Sequence, residues 1–104
     1  MNSDQARIEI SSMLESNLMQ WAISYYEIVT CRLILEAYNK PVTRTVINNS
    51  VNAECNSMLR KVAKFKPYML ENGYDNVCQV IQNLKSDTQN NIIKSLKNDK
   101  GVMI

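Results

Sequence analysis

The chain has 104 residues, a formal net charge of +2 and no histidine, so residues 1–104 are predicted to form a single domain. The absence of histidine excludes serine–histidine and cysteine–histidine nucleophilic sites and nearly all zinc sites that mix cysteine with histidine. With 45% apolar residues but only two glycines and two prolines, the composition favours a folded helical protein over a sheet protein with many turns.

The N-terminal third of the chain predicts one long helix. Ser3 and Asp4 are suitable N-cap residues, and neither proline nor glycine occurs before Pro41. Helical sequence therefore extends from about residue 4 to residue 39. Its weakest part is the segment SSMLESN at 11–17, where the pattern is compatible with a bend or a break.

The second half of this helix is apolar around most of its circumference. Glu27, Arg32 and Glu36 interrupt it, and each charge would cost about 2.5–3.5 kcal/mol near a bilayer centre, so a membrane span is not predicted. Such a helix has to be covered on more than one side. It is either the central helix of a bundle or a helix with one side at an interface with a second copy or another partner. The apolar residues are Leu18, Trp21, Ala22, Tyr25, Ile28, Val29, Leu33, Ile34 and Tyr38.

A second periodic run spans residues 43–65. Thr43 or Thr45 can cap it, and Pro67 is expected to end it because the residue before a proline is pushed out of helical geometry. The predicted core positions recur at steps of three and four residues. They are Ile47, Val51, Cys55, Met58, Val62 and Phe65.

The remaining sequence predicts shorter elements. The segment YMLENG at 68–73 is either a short helical turn closed by Gly73 or a hairpin with a turn at Asn72 and Gly73. Caps for two further helices and a final stop are available at Asp75, at Ser86 or Asp87, and at Gly101. The predicted fold is all-α, a compact bundle of four or five helices with a long N-terminal helix.

Positive charge is concentrated in the second periodic run and its flanks. Residues 40–66 carry six cations and one acid, whereas residues 1–39 have a net charge of −3. One interpretation is a helix-turn-helix with its turn at Asn52 and Ala53, whose second helix would contact DNA. The other is one continuous helix with its cations gathered near its C-terminal end, where they favour the helix dipole. For the first interpretation the candidate nucleic-acid contacts are Arg44, Asn56, Ser57, Arg60 and Lys61.

Aromatic residues mark a second candidate surface. Trp21, Tyr25 and Tyr26 lie within two turns of the first helix, and tryptophan and tyrosine often anchor protein interfaces. For Trp21 alone, packing in the core is the preferred interpretation, whereas Tyr26, beside Glu27 on the polar side, is expected to be exposed.

Catalytic and metal chemistry has little support in the sequence. Cys31, Cys55 and Cys78 are widely spaced and number one fewer than an all-cysteine zinc site needs, so we expect three small buried side chains. Gly73 and Gly101 stand alone and cannot form a phosphate-binding loop. No enzyme activity, cofactor, metal or small-molecule substrate is predicted.

The sequence therefore predicts a small, soluble, cytoplasmic protein-interaction module of the inhibitor, immunity or adaptor type. It would bind and occlude or scaffold a macromolecular partner, with self-association as a further possibility and no role for a membrane. The alternative is a nucleic-acid-binding protein that uses the basic segment 44–66. The candidate partner-binding residues are Trp21, Tyr25, Tyr26, Arg60, Lys61, Lys64 and Lys66.

Overall fold

The computed structural model describes residues 2–97 and 102–103. It contains three α-helices, α1 (Ser3–Asn39), α2 (Arg44–Val62) and α3 (Glu71–Lys97), with a 3₁₀ segment (Ala63–Tyr68) between α2 and α3. The all-α prediction and the long N-terminal helix are confirmed. The predicted count of four or five helices is wrong, because the C-terminal part of the described chain forms one helix.

The N-cap of α1 is Asn2, one residue before the first predicted cap, Ser3. The side chain of Asn2 accepts a hydrogen bond from the backbone N–H of Gln5 at 2.8 Å. The helix then continues through residues 11–17 without a break. It ends where Lys40 adopts an extended backbone (φ −148°, ψ 116°), as expected for a residue that precedes a proline.

Helix α2 begins after the predicted cap Thr43, and Pro67 causes it to end. The Thr43 side chain accepts the N–H of Val46 at 3.2 Å, which confirms one of the two predicted caps. Proline has no N–H to donate, and its ring clashes with the carbonyl four residues earlier, which here belongs to Ala63. The α-helix therefore stops at Val62, and the chain continues to Tyr68 as the 3₁₀ segment.

Helix α3 replaces three predicted elements. Gly73 lies inside it, so the predicted hairpin and the predicted stop at this glycine are wrong, and the residues Asp75, Ser86 and Asp87 are interior positions rather than caps. A Cβ at Gly73 would lie 3.1 Å from the Ser11 Oγ atom and 3.2 Å from a carboxylate oxygen of Glu15. The glycine thus allows α3 to approach α1 closely. The predicted stop at Gly101 lies outside the described residues.

The three helices run up, down and up in an elongated bundle with principal extents of 61 × 17 × 16 Å. Contacts from Ser11 to Leu70 and from Tyr26 to Ile81 show that α3 runs parallel to α1. Gln89 on α3 donates to the carbonyl of Asn48 near the start of α2, so α2 is antiparallel to both. At that end the Val42 N–H donates to the Val102 carbonyl at 3.0 Å.

The buried side chains of all three helices recur at a spacing of eleven residues. Leu18 and Val29 in α1 show it, as do Ile47 and Met58 in α2. Eleven residues in three turns is about 3.67 residues per turn, close to the 3.6 of a straight α-helix. The helices can therefore keep the same face toward their neighbours along the bundle. The α1 core residues are Leu18, Ala22, Tyr26, Val29, Leu33 and Ala37.

The prediction that Tyr26 is exposed is wrong, since its residue surface is only 3% accessible. Tyr26 lies on the same face as the buried residues Ala22 and Val29. Its hydroxyl donates to the Ile81 carbonyl oxygen at 2.8 Å. The hydrogen bond provides the partner that a buried hydroxyl needs.

Ser11 offers a test of the α1–α3 junction. This side chain is 2% exposed, and its hydroxyl accepts the N–H of Leu70 at 2.8 Å at the start of α3. Ser11→Ala leaves that N–H without a partner, and we expect the free energy of unfolding to fall by about 1–2 kcal/mol in denaturant titrations. The exposed neighbour Ser12 provides the control, since Ser12→Ala is expected to change it by less than about 0.5 kcal/mol. Equal effects of the two substitutions would contradict this role of Ser11.

Tyr26 makes the stability of the bundle sensitive to alkaline pH. Burial raises the pKa of Tyr26 above its usual value, so the folded chain holds this proton more tightly than the unfolded chain does. The resulting stabilisation is complete below about pH 10 and is lost as the pH rises further, because the unfolded chain ionises first. We expect Tyr26→Phe to weaken the alkaline fall in unfolding free energy, measured by denaturation from pH 8 to about 12. Tyr68→Phe, at an exposed position, is the control and should follow the wild-type curve.

Candidate interaction site

Three of the predicted site residues, Trp21, Lys61 and Lys64, line a mainly apolar groove between α1 and the end of α2. Its volume is about 390 Å³. We call it the aromatic-basic groove, because apolar side chains line it and two lysines accompany them. The lining residues are Leu18, Trp21, Lys61, Val62, Lys64 and Phe65.

The 3₁₀ segment forms one wall of this groove. No residue of Ala63–Tyr68 is buried, and Phe65 is 38% exposed. The prediction that Phe65 belongs to the core is therefore wrong. The α-helix ends at Val62, and Phe65 follows in a turn at the edge of the bundle. Its ring contributes to a concave surface instead of filling the interior.

Two ring contacts join Trp21, Tyr25 and Lys61. The Trp21 and Tyr25 rings have centroids 5.7 Å apart and are tilted by 44°, within the range of favourable aromatic pairs. The Lys61 Nζ atom lies 5.4 Å from the centroid of the Tyr25 ring, a cation–π distance. This arrangement brings three of the predicted partner-binding residues together across α1 and α2.

Glu54 fixes this arrangement from the other side. Its carboxylate accepts a 2.6 Å hydrogen bond from the Tyr25 hydroxyl and a 3.3 Å bond from Arg32. The hydrogen bond to Glu54, aided by burial, raises the pKa of Tyr25 above its usual value. Tyr25 therefore keeps its proton and remains a donor at physiological pH. Since Tyr25 and Arg32 both lie on α1, Glu54 ties α2 to that helix beside the groove.

The other predicted residues lie elsewhere. Tyr26 is in the core, as described above, and Arg60 is exposed on α2 outside the groove lining. The Lys66 ammonium lies 5.3 Å from the centroid of the Tyr74 ring. It lines a different depression, together with Arg7 and Glu71. The basic run 60–66 is therefore divided between separate surfaces.

The helix-turn-helix prediction fails at its turn. Helix α2 is continuous through Asn52 and Ala53, since the apolar positions on either side form one uninterrupted stripe. Arg44 and Arg60 are sixteen residues apart on this helix, a rise of about 24 Å. The proposed base and phosphate contacts are thus not gathered on a short recognition helix. Asn56 is exposed and Ser57 is partly buried.

Sequence reasoning missed part of the site. The sequence indicates that Leu18 and Val62 are apolar but does not predict a groove beside them. It gives no role to Glu54, the one acid of the basic segment. The turn after Val62 could have been inferred from Pro67, whose effect reaches back four residues.

The expectation of three buried cysteines holds only for one of them. Cys55 is buried, Cys78 is partly buried and Cys31 is exposed. The described residues contain no cluster of three or more cysteine, aspartate or glutamate side chains that could hold a metal ion.

Comparison with protein-family models, with curated proteins and with solved structures finds no match for this chain. Within the described part of the chain, no helix has the combination of length and apolar character needed to cross a bilayer.

Glu54 and Glu36 provide a matched test of the site, because both contact Arg32. The Glu36 contact is a 4.0 Å pair between exposed side chains on one helix. Glu54→Ala removes the partner of Tyr25 as well, and we expect a loss of about 1 kcal/mol in unfolding free energy together with a lower pKa of Tyr25. Glu36→Ala should have little effect on either. Spectrophotometric tyrosine titration and denaturant unfolding measure both quantities, and an unchanged tyrosine titration in Glu54→Ala would contradict the assignment.

Proposed function

We propose that this chain is a protein-interaction module that binds an apolar segment bearing acidic residues from a protein partner in the aromatic-basic groove. It acts by binding, and so occludes or scaffolds that partner. The observation that carries the proposal is the meeting of Trp21, Phe65 and two lysines in one concave surface.

The apolar lining supports a binding role. Tryptophan is among the residues most enriched in binding hot spots, particularly where it lies in a depression that excludes water. Trp21 is the single tryptophan of the chain and is only partly buried. Its ring is held by Tyr25, so little side-chain entropy would be lost on binding. A partner side chain that is aromatic or aliphatic would complement this lining.

The charges at the groove support an acidic partner. Lys61 and Lys64 contribute to the lining, and no acidic side chain of the described residues does so. The nearby carboxylate of Glu54 is already engaged by Tyr25 and Arg32. A carboxylate of a partner beside the apolar anchor would therefore meet two cations. Such charges mainly raise the rate of association and select the orientation of the bound segment.

Selection of binders from a displayed random peptide library on the full chain tests the proposal. We expect enriched peptides to pair an aromatic or large aliphatic residue with Asp or Glu, and to shift the fluorescence of Trp21. Phe65→Ala should weaken their binding by about tenfold or more. Lys61→Glu with Lys64→Glu should weaken it by a further several-fold, with a smaller salt dependence.

Arg60→Glu is the matched control, because Arg60 lies on the same helix outside the groove lining. It should leave peptide affinity within about twofold. Binders that ignore Phe65, Lys61 and Lys64 would refute the groove as the site. Salt-sensitive binding to duplex DNA at about 50 mM salt that is lost in Arg60→Ala with Lys61→Ala would favour a nucleic-acid partner instead.

A further inference from the structure

A second surface of α1 lies opposite its core face. On a helical wheel at about 100° per residue, the centres of the two faces are about 190° apart. We call the opposite face the outer stripe. Its members are Ile10, Met13, Asn17, Gln20, Ser24, Ile28, Cys31, Leu35 and Tyr38.

Large apolar side chains are exposed at both ends of the outer stripe. Ile28 and Leu35 are each 66% exposed, and Met13 is 61% exposed. A shallow depression of about 690 Å³ follows the C-terminal half of the stripe, and every residue that lines it belongs to α1. Neither α2 nor α3 contributes to this lining. Among the described residues, the depression is therefore lined by α1 alone.

The spacing of the outer stripe differs from that of the core face. Ile10 to Tyr38 is covered in eight steps over 28 residues, a mean of 3.5 residues per step. The steps of three and four residues alternate on each side of Ser24, where two steps of four adjoin. This is the period of a two-stranded, left-handed coiled coil, whereas the eleven-residue spacing of the core face is not. The outer stripe therefore has the repeat that suits pairing with another long helix.

The charges beside the outer stripe suit a second copy of α1 and favour one direction of pairing. Glu9 and Glu27 flank the stripe on one side, and Arg7 and Arg32 flank it on the other. In a parallel pair, the acidic flank of one copy lies against the basic flank of the other. In an antiparallel pair, the two acidic flanks lie together, and so do the two basic flanks. Parallel pairing brings Glu27 of one copy to Arg32 five residues further along its partner, the usual interhelical ion pair. Antiparallel pairing would oppose acids to acids and arginines to arginines.

We propose that two copies of the chain associate in parallel and in register through the outer stripe of α1. Ile28 and Leu35 then pack against their equivalents. Asn17 and Gln20 lie opposite their equivalents in the second copy. Polar residues within such an interface favour a defined register. The proposal does not depend on the function of the aromatic-basic groove, whose lining residues lie outside the outer stripe. Arg32, on the flank of the stripe, also contacts Glu54 beside the groove.

Cys31 provides a direct test of direction and register. In-register parallel pairing places each Cys31 opposite its equivalent, where the Cα atoms can reach the separation of about 4.4–6.8 Å that a disulfide requires. Treatment of the full chain with diamide, which accepts the two hydrogen equivalents released by two thiols, should give a covalent dimer. Cys31→Ser should abolish it, whereas Cys78→Ser should not.

Mass in solution tests the dimer itself. Sedimentation equilibrium at about 100 µM should give twice the chain mass, a concentration suited to micromolar dissociation constants. Ile28→Glu with Leu35→Glu should raise the dissociation constant by about 100-fold or more. Val46→Glu is the control, since Val46 is an exposed apolar residue on α2. It should leave the mass unchanged, and circular dichroism should show folded helices in all variants.

Charge reversal distinguishes a parallel dimer from an antiparallel one. Glu27→Arg should weaken the parallel dimer by about 5- to 30-fold, and addition of Arg32→Glu should restore it. A monomer at about 100 µM would overturn the proposal, as would a dimer that Ile28→Glu with Leu35→Glu does not affect. A dimer that forms no disulfide through Cys31 and is strengthened by Glu27→Arg would be antiparallel, and would overturn the parallel arrangement.

Discussion

The backbone constraint imposed by Pro67 determines how the second half of the chain is arranged. Because its ring clashes with the carbonyl of Ala63, four residues earlier, and it has no N–H to donate, α2 ends at Val62 and the chain continues as the 3₁₀ segment Ala63–Tyr68. This segment reverses the chain direction and delivers Leu70 to the Ser11 hydroxyl, where α3 begins. The same turn contains Lys64 and Phe65, whose side chains are left outside the core. One proline thus sets both the start of α3 and one wall of the groove.

Local signals predicted the fold class and most of the N-terminal two thirds of the chain. Thr43 as a cap, the end of α1 before Pro41 and the core positions Ile47 to Val62 follow from rules that act within a few residues. The failures came where contacts between helices outweigh local preference. A glycine inside a helix ordinarily lowers the stability of the helix by about 1 kcal/mol relative to alanine. At Gly73 the missing side chain permits the close approach of α3 to Ser11 and Glu15. That benefit depends on residues 58 and 62 positions away and leaves no local trace.

The candidate site shows the same division between local and distant causes. The sequence could mark Trp21, Tyr25 and Lys61 as residues suited to binding, but the contact between them depends on how α1 and α2 pack. The prediction for Tyr26 was wrong because it rested on the charged neighbour Glu27. Tyr26 lies four residues after Ala22 and three before Val29, so it shares their face of the helix and is buried with them. The sequence pattern therefore indicates which residue types suit binding, whereas the packing of the helices determines where they lie.

A parallel dimer through the outer stripe would give the groove a consequence that a single copy lacks. Its two-fold axis would run along α1, so equivalent positions of both copies would lie at the same height. The two aromatic-basic grooves, each beginning at Leu18 and Trp21, would then occupy the same level of the assembly. A partner with two acidic, apolar segments could engage both, and the second contact would form at the millimolar effective concentrations that short linkers provide. Modest affinity at each shallow groove would then be sufficient for a stable complex.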